Sequence, residues 1–197
     1  MQENGTPRAA RRGLALLACA AFALLLAACR PPAHGPVYLA RGVPFALREP
    51  RSGPTFFASQ EVRFQFPDGR EETLLTTVEN TSEHLSLVAS APMGQTLFIV
   101  RLQGGEALVE KRVPLPSLFD PRLVLALVQL ANWPLEEARR GLDESLSLQE
   151  TGQVRELRRR DKTLLILQRE GPAPPYAKVT LELPPQSLKA TITTLDE

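Results

Sequence analysis

The chain has 197 residues, with 23 Lys and Arg against 22 Asp and Glu, for a formal net charge of +1 at pH 7. So balanced a chain carries no global field to draw in nucleic acid. Its 43% of hydrophobic residues can fill the core of one domain.

Arg8, Arg11 and Arg12 precede Gly13–Ala28, an uncharged apolar run. A basic start, an apolar stretch and small residues before a cut site are the marks of a secretory signal peptide. The run falls short of the roughly 20 residues a helix needs to span a bilayer core. Leu26-Ala27-Ala28-Cys29 resembles a bacterial lipobox, in which the cysteine is acylated and becomes the first residue of the mature chain. Leu16-Leu17-Ala18-Cys19 is a rival, but the apolar run before it is too short. Residues 1–28 are therefore expected as signal and Cys29 as the lipidation site, with palmitate-type chains. Two or more acyl chains make a stable membrane anchor. Cys19 leaves with the signal, so the mature chain has no disulfide and relies on its core. Removing the three Arg and one Glu of residues 1–28 leaves 20 basic and 21 acidic side chains, a formal charge of −1. Arg30 stands where lipoproteins kept at the enteric inner membrane have Asp, which by analogy favours the outer membrane.

Pro31, Pro32, Gly35 and Pro36 make residues 29–42 read as a lipidated, flexible tether. From residue 43 onward short alternating runs are separated by turn signals. Val62, Phe64 and Phe66 alternate with Glu61, Arg63 and Gln65, which predicts a half-buried strand. Asp68-Gly69 is a hairpin signal, with Thr73–Val78 as the return strand. Leu85, Leu87 and Ala89 share a face in the next strand, Pro92-Met93-Gly94 is a turn, and Gly104-Gly105 joins strands over 95–102 and 107–112.

The period then changes. Asp120-Pro121 predicts a capped helix start, followed by Leu123, Leu127 and Leu130 at helical spacing together with Val124 and Val128. A helix apolar almost all round must be covered. Asn132-Trp133-Pro134 breaks it, and a shorter helix runs from Pro134 to Arg140, stopping at Gly141. Strands resume around Leu146 and Leu148, then over 154–159, 163–169, 176–183 and 188–195. About ten strands with a two-helix insertion predict an antiparallel sheet whose apolar side the helices cover.

Two segments carry a resemblance. His84–Gln95, with Pro92-Met93-Gly94 at its turn, is similar to the strand–Pro-Leu-Gly–strand segment of the LolA/LolB family. Trp133-Pro134-Leu135-Glu136-Glu137-Ala138-Arg139-Arg140-Gly141-Leu142 is similar to the LolB segment in which a Pro-Leu pair opens a short helix ending near Gly-Leu. Their order fits over residues 43–197, closest to a branch of outer-membrane lipoproteins, some encoded beside aryl-polyene-type biosynthesis genes. The resemblance implies a mainly β (α+β) fold, an incomplete antiparallel β-barrel of about ten strands with a two-helix lid.

It also implies an outer-membrane lipoprotein, anchored on the periplasmic face, that binds and transfers acyl chains, lipoproteins or a similar apolar ligand. A periplasmic LolA-like carrier would be a partner, and the protein a monomer without cofactor or metal. Pro92, Met93 and Gly94 would form the membrane-insertion loop, with Met93 where the family has Leu. Phe64, Phe66, Leu85, Leu87, Leu97, Ile99, Leu123, Leu127 and Trp133 are the candidates for lining the ligand space. Ordinary core packing is the alternative for all nine.

Signals for catalysis are sparse. His34 and His84 are the only histidines, and His34 lies in the tether, so no His cluster builds a metal site. No nucleophile elbow, phosphate loop or dinucleotide fingerprint occurs. Glu71-Glu72, Glu136-Glu137 and Arg158-Arg159-Arg160 read as solvated surface. The chain is thus expected not to be an enzyme. A scaffold docking an envelope complex is the second reading, and an enzyme acting on a lipid-linked substrate the third.

Overall fold

Residues 35–116 and 119–195 are described by the computed structural model; Cys29, Cys19 and most of the tether lie outside them. Each alternating run becomes a strand, and each turn signal falls between two of them. The first hairpin pairs β1 (Val37–Ala40) with β2 (Val43–Phe45). Ten further strands follow: β3 (Phe56–Gln65), β4 (Glu71–Asn80), β5 (His84–Ser90), β6 (Thr96–Gln103), β7 (Glu106–Lys111), β8 (Ser147–Thr151), β9 (Val154–Arg159), β10 (Lys162–Glu170), β11 (Lys178–Leu183) and β12 (Leu188–Thr194). These ten form one sheet in the order β7-β6-β5-β4-β3-β12-β11-β10-β9-β8, antiparallel throughout. Strands β7 and β8 are its two free edges, so the sheet does not close. The fold is an incomplete antiparallel barrel with a two-helix lid.

The lid is α1 (Arg122–Asn132) and α2 (Leu135–Arg139). Asp120 Oδ1 accepts a hydrogen bond from the Arg122 backbone N–H at 3.0 Å, and Pro121 already has helical angles, so Asp120 caps the first turn. Trp133 and Pro134, both extended, end α1. Helix α1 sits against the inward side of the sheet between two core clusters. Ala126, Leu130 and Ala131 pack with β1, β2 and the β8–β12 half, while Leu125 and Trp133 pack with the β3–β7 half. Leu125, Leu130 and Trp133 are fully buried, each a gain of about 1.5–3 kcal/mol in apolar burial.

The domain begins earlier than residue 43. Val37 and Leu39 are buried, and β1 packs on α1. Residues 37–42 are thus part of the fold, because their alternation places two aliphatic side chains on the helix while Tyr38 faces out. The segment after β2 then straps the lid. The Arg48 N–H donates to Gln129 Oε1 at 2.8 Å, and Gln129 Nε2 donates to Arg48 O at 2.7 Å. Trp133 Nε1 donates to Ser52 Oγ at 3.1 Å.

Close approach makes one glycine obligatory in this strap. A Cβ at Gly53 would lie 2.3 Å from Trp133 Cε2. Gly53→Ala is therefore expected to lower stability by about 1–3 kcal/mol, the usual penalty for overpacking, measured by urea unfolding. An unchanged midpoint would mean that the indole moves freely.

Candidate functional site

The inward face of the sheet is unevenly filled. Away from the β3–β4 turn, the paired inward positions Phe56, Asn80, Leu85 and Leu102 are buried, as are Ala58, Val78, Leu87 and Val100 in the next row. Trp133, Leu85 and Leu125 show no exposed surface, so no space large enough for water adjoins them. Toward the β3–β4 turn the inward face is mixed: Phe64, Leu74, Leu188 and Ile192 are half-buried, while their partners Val62, Ala190 and Leu183 are buried. On α1, Leu123, Val124, Leu127 and Val128 are also half-buried, whereas Leu125, Ala126, Gln129 and Leu130 are buried. Phe64, Leu123, Leu127, Leu188 and Ile192 pack against the same core cluster. The half-barrel is thus solid at one end and less completely covered at the other, where a patch of half-buried apolar side chains around Phe64, Leu127 and Ile192 forms an apolar mouth.

Polar groups mark the boundary between these regions. Gln60, Thr76 and Thr194 share one inward row. Gln60 Nε2 donates to Thr194 Oγ1 at 3.4 Å, and Thr76 Oγ1 is buried with no hydrogen-bond partner among the described residues.

At the solid end, charge fixes the helix. Arg155 (β9) and Arg169 (β10) are only 4% and 3% exposed. Arg155 Nη1 donates to the carbonyls of Leu130 and Trp133, both at 2.7 Å. Arg169 Nη1 reaches the Ala131 carbonyl at 3.5 Å, and its guanidinium lies 5.0 Å from the centre of the Tyr176 ring. Glu150 (β8) binds both cations, Oε2 accepting from Arg155 Nε at 2.5 Å and pairing with Arg169 Nη2 at 3.0 Å. Burial alone would raise the Glu150 carboxyl; the Arg155 hydrogen bond and the two positive charges outweigh it and hold it below the usual range. For Arg155 burial dominates and draws the guanidinium down, with Glu150 opposing.

The residues expected to line a ligand space separate into groups. Leu85, Leu87 and Trp133 belong to the solid core and line no space. Ile99 pairs with Val88 on the outward face; Phe98 and Val100 point inward instead. A bulge between Ala89 and Ser90 adds a residue on β6, so Leu97 and Phe98 both meet the core and a strict alternation begun at Leu97 runs on the wrong parity. Phe64, Leu97, Leu123 and Leu127 are half-buried and available to the mouth. Phe66 stands at the strand end, half-buried, with Arg70 5.1 Å from its ring centre.

Met93 is 87% exposed at the tip of the β5–β6 turn. Ala91 and Gln95 close this turn at 2.8 Å, and Gly94 takes φ +89, which favours glycine. Strand β5 runs toward the β3–β4 turn, so Met93 projects at the same end as the open mouth.

Two clefts elsewhere are lined by none of the nine. One of about 360 Å³ lies between Arg139 and residues 142–149, and one of about 600 Å³ involves Ser145 and residues 159–162. His84 bonds Thr81 and Glu79 at its turn, and Glu136 and Glu137 pair with Arg139 and Arg140 along α2. Among the described residues no group of three or more His, Cys, Asp or Glu could hold a metal ion, and no helix is long and apolar enough to cross a membrane.

Arg155, Arg169 and Glu150 carry no motif and escape a reading based on charge. Parity is the signal that finds them, since each lies two residues beyond a buried leucine (Leu157 before Arg155 in reverse, Leu167 and Leu148 in order) and must share its inward face.

A family model described as a protein of unknown function (DUF3261) matches residues 58–196, and the chain belongs to that family. No curated protein matches it.

Removing the shared anion tests the helix clamp. Glu150→Gln leaves two buried guanidinium groups without a counter-charge and is expected to cost about 3–5 kcal/mol at pH 7. Because the native carboxyl is held low, its contribution is complete above the unfolded value and fades as pH falls through the native one. Urea unfolding of wild type and variant should therefore converge in acid; a gap that persists there would assign the loss to packing.

Proposed function

We propose that this member of the family is a lipid-anchored envelope protein whose half-barrel accepts an acyl chain or similar apolar ligand and delivers it at a membrane. The observation that supports this reading most is the gradient along the inward face, solid at one end and apolar but half-open at the end where Met93 projects. A ligand entering there would cover Phe64, Leu123, Leu127 and Ile192, gaining roughly 25 cal/mol per Å² of apolar surface removed from water. Met93, flexible and polarizable, would enter the lipid as the Leu of LolB-like proteins does. Cys29 would hold the domain at the periplasmic face of the outer membrane, and a LolA-like carrier would supply the cargo. No step here needs catalysis.

The solid core around Leu85, Leu87 and Trp133 favours a second reading, a scaffold whose surface docks an envelope complex. Ligand content separates the two. Both core clusters are built from residues between Val37 and Ile192, so a chain of residues 30–197 carries its own core. Incubated with envelope extract and repurified gently, this chain should retain a lipid, an acylated peptide or a polyene ester in native mass spectrometry. A stable, empty domain that also ignores added lipid would favour the scaffold.

Single substitutions refine the test. Leu127→Lys places a charge in the mouth and should weaken acyl-ligand binding by about tenfold or more. Met93→Glu should leave binding and folding intact while impairing delivery to vesicles; unchanged delivery would remove Met93 from the mechanism.

A further inference from the structure

The β9–β10 hairpin ends in Arg158-Arg159-Arg160-Asp161-Lys162, where a two-residue turn would favour Asn-Gly. Arg160 adopts φ +51, a left-handed conformation costly to an L side chain, so the turn holds a long cation where glycine would be relaxed. Register places this tip. Strand β10 begins beyond the end of β11, whose last residue Leu183 pairs with Leu188 beside the β3–β4 turn. The tip therefore lies at the same end of the half-barrel as Met93.

A second hairpin joins it. Arg159 Nη2 donates to the Gly42 carbonyl, which ties the β1–β2 turn and its Arg41 to the cluster. Arg41, Arg160 and Lys162 are exposed, and none forms an ion pair among the described residues. Tyr38, on the outward side of β1, is 60% exposed, an aromatic with a polar tip of the kind that settles at lipid headgroups. Two of the four acids nearby are engaged. Glu156 pairs with Arg158 at 3.7 Å and accepts from Thr163, and Asp143 accepts from the Ser145 N–H at 2.8 Å. Asp161 and Glu144 are the remaining acids of the loop cluster. A cleft of about 600 Å³ lined by Ser145, Arg159, Arg160, Asp161 and Lys162 leaves room for a phosphate-bearing headgroup.

We propose that Arg41, Arg160 and Lys162, with Tyr38, form an anionic-membrane docking surface that works with Met93 to set the open end of the half-barrel against the bilayer. The inference rests on the envelope location proposed above. Lipidated at Cys29, the chain would have only residues 30–36 between the anchor and β1, a reach of at most about 25 Å. This tether would hold the basic tip close to the headgroups and make docking an intramolecular event.

The test uses residues 30–197, which lack any acyl group, so its outcome does not depend on Cys29. Sedimentation with vesicles of 30% phosphatidylglycerol in phosphatidylcholine should bind the domain at least tenfold more than pure phosphatidylcholine. The difference should disappear in 0.5 M NaCl, where exposed charges are screened. Each cation near an anionic surface is worth about fivefold, so Arg41→Ser/Arg160→Gly/Lys162→Ser should lose roughly a hundredfold. All three side chains are exposed and without an ion pair among the described residues, and an unfolding midpoint no lower than that of wild type is the control for folding, since glycine relaxes the left-handed position 160. Equal partition to both vesicle types would overturn the proposal, as would a triple variant that binds like wild type. Amide shifts of Arg160 and Lys162 with inorganic phosphate, in the absence of vesicle binding, would also overturn it and assign the cleft to a small anion. Labelled-palmitate incorporation at Cys29 and native mass spectrometry report separately on the anchor and the cargo.

Discussion

Two buried arginines and one glutamate hold this fold together. An antiparallel sheet left open needs an apolar element on its inward side, and α1 supplies one that is apolar nearly all round. Such a helix has a problem at its C-terminal end, where the last carbonyls have no intrahelical partner and no water to turn to. Arg155 and Arg169 bring donors to the carbonyls of Leu130, Ala131 and Trp133 and oppose the negative end of the helix dipole. Glu150 offsets part of their charge. Buried ion pairs often contribute little net stability against an apolar substitute. Their effect here is positional, because the two guanidinium groups meet three carbonyls at the end of α1 and so set its place along the sheet.

That placement determines what else in the lid can move. The strap over residues 46–53 clamps the same end, through the fully buried Gln129 side chain and the Trp133 indole. The contacts at the N-terminal end of α1 are of another kind, with Arg122 Nη1 donating to the Gly35 carbonyl at 3.5 Å. Asp120 and Arg122 hold its first turn together locally, and its apolar side chains are half-buried. The contrast between a clamped end and a looser end is also the contrast between the solid core and the apolar mouth. One cluster of charges therefore fixes which end of the lid is held down.

Most of the architecture was legible because alternation survives translation into burial. The ten runs with period two are the ten strands of the large sheet, and the one segment with helical period is the lid. What was missed had competing signals. Residues 37–42 alternate, but the prolines and glycine just before them give the stretch the composition of a tether. Ile99 was assigned inward because the bulge opposite Ser90 adds a residue that no pattern in β6 announces. Arg155 and Arg169 belong to no motif that would single them out, although parity with Leu157 and Leu167 places them inside. In each case tertiary context overrides a local preference. The residues themselves mark Met93 only as part of a turn, and the insertion-loop expectation comes with the resemblance, since a turn fixes position along the chain and leaves exposure to the neighbouring strands.

The energetics of the proposed carriage follow from the same asymmetry. Opening a helix buried along its whole length would expose Leu125, Leu130 and Trp133 and break the arginine clamp, a cost comparable to the 5–15 kcal/mol that stabilise a whole domain. Lifting only the N-terminal half exposes Leu123, Val124, Leu127 and Val128, which already see solvent in part. An acyl chain regains about 0.8 kcal/mol for each methylene it buries. A few methylenes seated in the mouth thus offset the partial exposure, while the clamped end keeps the fold intact. Exchange of an apolar ligand then needs no unfolding, and release is favoured wherever a bilayer offers the chain an equally apolar environment. A membrane placed at that end would satisfy the condition, and Met93, projecting there, would stand where a carried chain passes from the half-barrel into lipid.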